Sequence, residues 1–262
     1  MISFSVPGGG VGPHIDWYDV FIIQGMGSRR WRVGDKLPLK EFCPHPALLH
    51  VEPFEPIIDE DLAPGDILYI PPGFPHDGIT HETAFNYSIG FRGPNGRDLI
   101  SSFADYAVDS DLGGDHYTDP DLTCRENPGR IEDYELERVR GMLIEMINQP
   151  EDFKQWFGCF ITTPRHELDI AAAEPPYEPQ EVLEALQDGQ MLTRLGGLRM
   201  FHVSDAFFVN SERFDTVAPK AAEALCRHLL IGKEELGEAV NNPTFIAELT
   251  GLINQGYWYF DL

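Results

Sequence analysis

The sequence predicts an α+β fold, in which an antiparallel β barrel or sandwich precedes helices and a small winged-helix-like module. Two observations support this. Up to about residue 95, short runs of β-branched and aromatic residues are bounded by Gly, Pro and Asp. From about residue 97, apolar residues recur at helical spacing, so the chain changes structural class there.

Composition indicates a globular protein. The 262 residues are 42% hydrophobic, enough to fill one large core or several small ones. No segment reaches the roughly 18–20 apolar residues of a membrane span, and the N-terminus does not resemble a signal peptide. We therefore expect a cytoplasmic protein with no membrane partner. The four scattered cysteines predict neither a disulfide framework nor a zinc ribbon.

The chain is strongly acidic, with 43 acidic and 19 basic residues and a formal net charge of −24. Such a surface repels phosphate backbones, so direct nucleic-acid binding is not expected. It can instead steer a basic protein toward the chain. Charge alone does not separate this role from a simple gain in solubility.

Four strands are predicted in the first region. They are DVFIIQG from Asp19, RRWRVG from Arg29, DILYIPPG from Asp66 and AFNYSIGF from Ala84. Each combines β-forming residues with turn residues at its ends. We expect them to belong to one barrel or sandwich.

A helical region is predicted to follow. Its apolar stripes lie within 99–106, 131–147 and 153–160, and a polar loop occupies 113–129. Met and aromatic residues are dense in these stripes for so small a segment. This density favours burial against a second copy of the chain, so we expect a homodimer.

The C-terminal region is predicted to resemble a winged helix. Its elements are a Pro/Ala/Glu linker at 169–179, a helix around 182–186, strands within 191–203 and 206–214, and helices at about 218–230 and 243–254. Winged helices often bind DNA. Few basic residues occur here, however, which favours a scaffold or protein-binding role.

His14 and Asp16 are candidate metal ligands. Alternate side chains of a strand share a face, so both project to one side with Ile15 opposite. An isolated HxD pattern is common by chance and indicates little by itself.

His76 is the third candidate ligand. It follows PGDILYIPPGFP, in which a turn starts an apolar strand and a rigid Pro-Pro-Gly ends it. In an antiparallel barrel, strand ends can converge even though 60 residues separate Asp16 from His76. With His14 they would form a two-histidine, one-carboxylate facial triad, which leaves positions open on iron(II). The rival ligands His45, His50 and His81 are interpreted as surface histidines.

Five stretches carry a resemblance to a known family. They are SFSVPGGGVGPHIDWYDVFIIQGMGSRRWRVG, PGDILYIPPGFPH, FNYSIGFR, FKQWFG and RHELDIAAAEPPY, and the similarity continues to GYWYFDL at the end. On these residues the chain resembles the cupin-like JmjC 2-oxoglutarate oxygenases. Within them, it is most similar to the bacterial ribosomal oxygenases that hydroxylate an arginine of a large-subunit ribosomal protein.

The resemblance implies a double-stranded β-helix over residues 1–96, a helical dimerisation region over 97–165 and a winged-helix-like domain over 166–262. It implies iron(II), the cosubstrate 2-oxoglutarate and dioxygen as cofactors. It also implies a protein arginine 3-hydroxylase whose substrate is a basic ribosomal protein. The acidic charge fits such a substrate independently.

Residues for the cosubstrate are also implied. In the family a basic side chain about one strand after the HxD holds the distal carboxylate, and Arg29 matches that position; a structural ion pair is the alternative. By alternation, Arg30 and Arg32 point to the opposite face of the same strand and are interpreted as solvated surface residues. Asn86 and Ser88 share a face within an apolar run. They are interpreted either as cosubstrate ligands or as a core pair whose hydrogen bonds are satisfied within the protein.

The chain departs from the family at its start. Family members carry further strands and helices before the first metal-bearing strand, whereas 13 residues precede His14 here. The resemblance therefore implies a truncated or misplaced start. Without the strands and helices that support the barrel in the family, strand edges of this chain would be exposed.

Two other functions stay open at this point. One is a small-molecule cupin, either an isomerase or a dioxygenase, which would use His14 and His76 but not Arg29. The other is a non-catalytic protein-binding module with a vestigial or structural metal site.

Overall fold

The chain divides into two compact units in a computed structural model, which describes residues 1–45, 48–204 and 206–260. Unit 1 is Met1–Asp98 and unit 2 is Leu99–Leu262. Unit 1 is built from strands, and unit 2 combines helices with two small sheets. A separate boundary near residue 165 stays a prediction.

Unit 1 is formed by antiparallel strands. In chain order they are β1 (Ile2–Ser5), β2 (His14–Ile15), β3 (Asp19–Met26), β4 (Arg29–Gly34), β5 (Glu41–His45), β6 (Leu48–Val51), β7 (Pro56–Leu62), β8 (Ile67–Ile70), β9 (Pro75–Thr80) and β10 (Ala84–Phe91). Two four-stranded sheets have the orders β1-β10-β3-β8 and β2-β9-β4-β7, and β5 pairs with β6. Neighbours within each sheet are distant in sequence, so the sheets hold the unit together through long-range pairing.

The core of unit 1 lies between the two four-stranded sheets. Alternate residues of β3, β4 and β8 point inward, as the strand period of two requires. The buried cluster they form is Val20, Ile22, Trp31, Val33, Leu68 and Ile70. This alternation explains why the apolar runs predicted from sequence became strands β3, β4, β8 and β10.

Strand β7 was not predicted, because its sequence PIIDEDL carries three consecutive acidic residues. It is the edge strand beside β4, where charged side chains are tolerated. Arg30 donates to Asp59 from Nε and Nη2 at 2.6 and 2.7 Å, and Arg32 Nε lies 3.9 Å from the same carboxylate. The two arginines, interpreted from sequence as solvated surface, therefore pair with β7.

Strand β1 lies at the edge of the first sheet. Its Ile2 and Phe4 side chains are 64% and 68% exposed. An apolar edge strand of this kind is open to pairing with further chain.

Unit 2 contains seven α-helices, one 3₁₀ helix and six short strands among the residues that the structure describes. They are α1 (Gly96–Asp109, beginning in unit 1), α2 (Asp133–Ile147), α3 (Pro150–Thr162), α4 (Pro179–Gln187), β11 (Leu192–Arg194), β12 (Met200–Val203), β13 (Ala206–Val209), β14 (Glu212–Asp215), α5 (Pro219–Arg227), β15 (Leu230–Ile231), α6 (Lys233–Leu236), a 3₁₀ helix (Gly237–Asn241), α7 (Pro243–Asn254) and β16 (Trp258–Phe260). The sheets have the orders β12-β13-β14 and β15-β11-β16. None of the described helices is long and apolar enough to cross a bilayer.

The strands predicted within 191–203 are β11 and β12, which lie in different sheets because Gly197 turns the chain at a φ of +81°. One predicted element of unit 2 differs from the structure. The helix predicted at 218–230 ends at Arg227, since β15 begins at Leu230 and pairs with β11.

Helix α3 packs against strand β13 at a glycine. A Cβ built on Gly158 would collide with the ring of Phe208, which is fully buried. Close approach of the helix and the sheet therefore depends on the missing side chain at this position.

We predict that Gly158→Ala destabilises unit 2 by roughly 1–3 kcal/mol, because the added methyl group overpacks the Phe208 contact. Urea unfolding followed by circular dichroism measures the change in the free energy of unfolding. Gly251→Ala in α7 is the matched control, since a Cβ there meets open space. The control should be neutral or stabilising by up to about 1 kcal/mol, and equal effects at both positions would contradict the packing argument.

Candidate metal centre

Strand pairing brings two histidines together. β2 and β9 are antiparallel neighbours, with His14 directly opposite His76 and Ile15 opposite Pro75. The two imidazole centroids are 4.2 Å apart. The sequence analysis expected these two histidines to converge from separate strand ends. In the structure they lie directly opposite each other, near the start of β2 and the start of β9.

Asp16 completes the cluster from just beyond β2, which ends at Ile15 and is shorter than predicted. Its Oδ2 lies 4.0 Å from His14 Nε2 and 3.6 Å from His76 Nε2. One ligand atom from each residue lies within 4.8 Å of the others. In the described part of the chain, this is the one such cluster of His, Cys, Asp or Glu.

Backbone carbonyls set the orientation of both imidazoles. His14 Nδ1 lies 2.8 Å from the Gly12 oxygen, and His76 Nδ1 lies 3.1 Å from the Phe74 oxygen. A carbonyl only accepts, so each Nδ1 donates and each Nε2 keeps its lone pair toward Asp16. This is the arrangement that a metal-binding histidine requires.

Burial keeps His76 neutral. The residue is 2% exposed, and burial, with a further effect of His14, lowers the pKa of His76 to about 4. Two imidazoles and one carboxylate are ligands suited to a divalent transition metal, and this set is typical of non-haem iron(II) sites. The donor chemistry therefore fits the expected iron.

Arg29 is a buried cation in the same barrel. It is 5% exposed, and its Nη1 and Nη2 donate to Asn86 Oδ1 and the Gly78 oxygen at 2.9 and 3.0 Å. Burial lowers the pKa of Arg29, and the charge of Asp77 opposes this effect. Among the described residues, no carboxylate lies within 4.0 Å of the guanidinium, so the structural ion pair considered from sequence is not found.

Three residues around Arg29 were missed from sequence. Thr80 lies opposite Arg29 in the ladder, Gly78 lies opposite Trp31, and the Trp31 ring centroid is 4.7 Å from the guanidinium carbon. Alternation along β9 from His76 would have found Gly78 and Thr80, because the three share a face.

Several buried polar atoms in this region have no partner within the described chain: Arg29 Nε, Trp31 Nε1 and Thr80 Oγ1. Buried polar groups are normally hydrogen-bonded, so such a group of orphans indicates a place for a polar ligand or water. With the cationic guanidinium beside them, they fit an oxygen-rich anion.

The two other predicted cosubstrate residues differ in placement. Asn86 is 2% exposed and contacts Arg29 directly. Ser88 is half-buried, and its backbone exchanges hydrogen bonds with Met1 at 2.8 and 2.9 Å. The structure describes no Ser88 side-chain contact with Arg29, so its role stays a prediction.

Two of the three rival histidines, His50 and His81, lie outside the cluster. His81 is exposed, 3.3 Å from Asp61, as a surface residue. His50 is half-buried rather than on the surface, and its Nε2 is buried without a partner in the described chain. The His45 side chain lies outside the described residues.

Two family models match the chain. The model described as a JmjC domain matches residues 1–99, and the model described as a ROXA-like winged helix matches residues 145–259.

Curated relatives extend the similarity along the chain. The chain is 57% identical over 261 residues to the ribosomal protein uL16 3-hydroxylase of Escherichia coli (strain K12), covering 100% of this chain and 70% of that protein. It is 29% identical over 248 residues to a probable ribosomal oxygenase of Haemophilus influenzae, covering 87% of this chain and 59% of that one.

A solved structure agrees with these matches. It is YcfD, a ribosomal oxygenase from Escherichia coli, in complex with cobalt and 2-oxoglutarate. The TM-score is 0.90 at 54% identity, and the alignment covers 100% of this chain and 69% of that chain.

We predict that His14→Ala weakens cobalt(II) binding at least about 100-fold, because changes to residues that merely orient metal ligands already cost roughly 10–100-fold. Titration of cobalt(II) into the full chain, followed by its visible absorption, gives the dissociation constant. His81→Ala is the control, since it removes an imidazole outside the cluster. Unchanged affinity in His14→Ala would reject the proposed ligand set.

Proposed function

This chain belongs to the JmjC family of ribosomal oxygenases and is a 2-oxoglutarate-dependent oxygenase, and we propose that it hydroxylates Cβ of an arginine in a basic protein of the large ribosomal subunit. The matches to a JmjC domain and a winged helix confirm the predicted family and α+β fold class. The observation that carries the proposal is 57% identity, over the whole chain, to a ribosomal protein uL16 3-hydroxylase. This similarity disfavours a small-molecule cupin and a non-catalytic module.

We propose that the iron is held by His14, Asp16 and His76. Their Nε2 atoms and carboxylate converge, and the carbonyls of Gly12 and Phe74 prevent either imidazole from turning. Bound iron(II) supplies, with 2-oxoglutarate and dioxygen, the oxidising chemistry that converts a C–H bond to C–OH while forming succinate and carbon dioxide. The protein contributes ligands, orientation and exclusion of water.

Arg29 is the proposed partner of the distal carboxylate of 2-oxoglutarate. Its guanidinium is fixed by Asn86 and Gly78, and Nε has no partner in the described part of the chain. An anion would compensate the buried charge, which is otherwise costly. The Thr80 hydroxyl, opposite Arg29 in the ladder, is a further proposed ligand.

The proposed substrate is consistent with the charge of the chain. A basic ribosomal protein would be attracted to a surface with a formal net charge of −24. The same charge disfavours direct nucleic-acid contact. We also propose that the chain acts in the cytoplasm, where such a substrate is available.

A second copy of the chain is the proposed occupant of an apolar groove in unit 2. The groove has a volume of about 590 Å³, and α1, α2 and α3 line it entirely with apolar and aromatic residues, including Phe103, Leu143, Phe153, Trp156 and Phe157. No residue of α2 is buried, although the helix carries a long apolar stripe. A helix normally depends on burial of such a stripe for its stability.

We predict that Arg29→Ala abolishes 2-oxoglutarate binding, because the distal carboxylate of the cosubstrate loses its proposed cationic partner. In the wild-type chain with iron(II) under anaerobic conditions, 2-oxoglutarate should give a visible charge-transfer band, and this band should be absent in the variant. With dioxygen and a peptide of the ribosomal protein, mass spectrometry should show one added oxygen on arginine for the wild type alone.

Arg32→Ala, which loses a surface contact with Asp59, is the control and should retain both signals. A wild-type chain that shows the band but leaves the peptide unmodified would reject the proposed substrate. A band that persists in Arg29→Ala would reject the proposed carboxylate site.

We predict that Leu143→Glu in α2 converts a dimer to a monomer, because a carboxylate in the apolar groove would be desolvated by the second copy. Sedimentation velocity measures the change in mass. Leu229→Glu is a matched control, since Leu143 and Leu229 are 59% and 64% exposed and only Leu143 lines the groove. A monomeric wild-type chain, or a dimeric Leu143→Glu variant, would contradict the proposed interface.

A further inference from the structure

Tyr18 lies in the bend between β2 and β3, two residues after the proposed ligand Asp16. Its hydroxyl lies close enough to the Asp16 carboxylate to form a hydrogen bond with it. Burial raises the pKa of Tyr18, the charge of Asp16 and this hydrogen bond raise it further, and the charge of Arg92 opposes them. The hydroxyl therefore keeps its proton and donates to the carboxylate.

A glycine makes room for the ring of Tyr18. Gly90 lies in β10, opposite Val20 of β3. A Cβ built on Gly90 would lie 2.9 and 3.2 Å from Cε2 and Cδ2 of the Tyr18 ring. The same ring packs against the buried cluster of unit 1. Packing within the barrel therefore restricts the positions that the hydroxyl can take.

One oxygen of the Asp16 carboxylate faces the two histidines. Oδ2 lies 3.6 Å from His76 Nε2 and 4.0 Å from His14 Nε2. The backbone oxygen of Asp16 accepts from Gly73 N–H at 2.8 Å, which holds the main chain at this point. The carboxylate can still rotate about its side-chain bonds, and a hydrogen bond to the side chain restricts that rotation.

The orientation of this carboxylate affects the number of positions left on a bound ion. A carboxylate can bind a metal through one oxygen or through both. Binding through both takes up one more position, whereas a site of two histidines and one carboxylate serves oxygenases because it leaves positions open. A donor that engages one oxygen favours binding through the other. Groups that hydrogen-bond to metal ligands commonly change metal affinity by roughly 10–100-fold.

We propose that Tyr18 is a positioning residue of the metal centre, whose hydroxyl holds the Asp16 carboxylate so that Oδ2 alone binds the ion. Tyr18 acts through Asp16 and is not itself a ligand. One more position on the ion then stays open for cosubstrate or dioxygen. This role rests on the proposed ligand set of His14, Asp16 and His76.

Tyr18→Phe in the full chain tests this role, because it removes the hydroxyl and keeps the ring over Gly90. Titration with cobalt(II), followed by visible absorption, should show about tenfold weaker binding than in the wild type. In the saturated variant the cobalt(II) bands should change in position and intensity, because the released carboxylate binds through both oxygens. A hydroxyl that served folding alone would leave the bands of the bound ion unchanged.

Tyr69→Phe is the matched control. The Tyr69 hydroxyl donates to Asp19 at 2.6 Å, so this variant removes the same kind of hydrogen bond from unit 1 outside the ligand cluster. It should keep the cobalt(II) affinity and the spectrum of the wild type. Both variants should remain folded in EDTA, as measured by circular dichroism, because each keeps its aromatic ring.

Gly90→Ala gives an independent test, because the added methyl group displaces the ring of Tyr18 and leaves its hydroxyl in place. It should weaken cobalt(II) binding in the wild-type chain and have little further effect in Tyr18→Phe, since both changes disrupt one interaction. Additive effects of the two changes on cobalt(II) affinity would contradict a role through the hydroxyl.

A Tyr18→Phe variant with the affinity and the spectrum of the wild type would overturn the proposal. Titration of His14→Ala separates this result from a failure of the ligand set. Weak binding by His14→Ala with unchanged Tyr18→Phe would reject the role of Tyr18 and leave the ligands standing. Unchanged binding in both variants would reject the ligand set and the role of Tyr18 together.

Discussion

The candidate site depends on the register between β2 and β9. His14 lies directly opposite His76, and Asp16 follows two residues later on the same side. Because strand side chains alternate with a period of two, a slip of one residue would turn one imidazole away from the other. Strand β9 also pairs with β4, where His76 lies opposite Val33, so the β4–β9 ladder fixes the position of His76 in the barrel. Folding of the barrel and assembly of the metal ligands are therefore one event.

A second constraint is the cost of keeping a cation and unpaired polar groups inside the barrel. An unsatisfied buried group costs about 1–3 kcal/mol, so Arg29 Nε, Trp31 Nε1 and Thr80 Oγ1 together weaken the ligand-free fold. Gly78 is needed for this arrangement, because a Cβ there would lie 2.9 Å from Arg29 Nε. These groups lower the stability of the barrel, and an anionic ligand would compensate them.

The two units carry different kinds of chemistry. Unit 1 concentrates the metal ligands and the buried cation, whereas unit 2 has an apolar groove. Apolar surface suits association with another copy of the chain. The residues for oxidation lie inside the barrel of unit 1, whereas the surface proposed for association lies in unit 2. Residues on that surface can change without disturbing the metal ligands.

The sequence by itself determined the element types and the candidate ligands, because short-range periodicity and side-chain chemistry are local properties. Strands β3, β4 and β10, the helical stripes and the candidate ligands His14, Asp16 and His76 were readable in this way, whereas Arg29 was implied by the family resemblance. Only the tertiary structure decided that β7 is a strand despite its charges, that Asn86 rather than Ser88 contacts Arg29, and that Thr80 and Gly78 belong to the same interior. These facts depend on which strands pair and in which register, and such long-range contacts leave no local pattern in the chain.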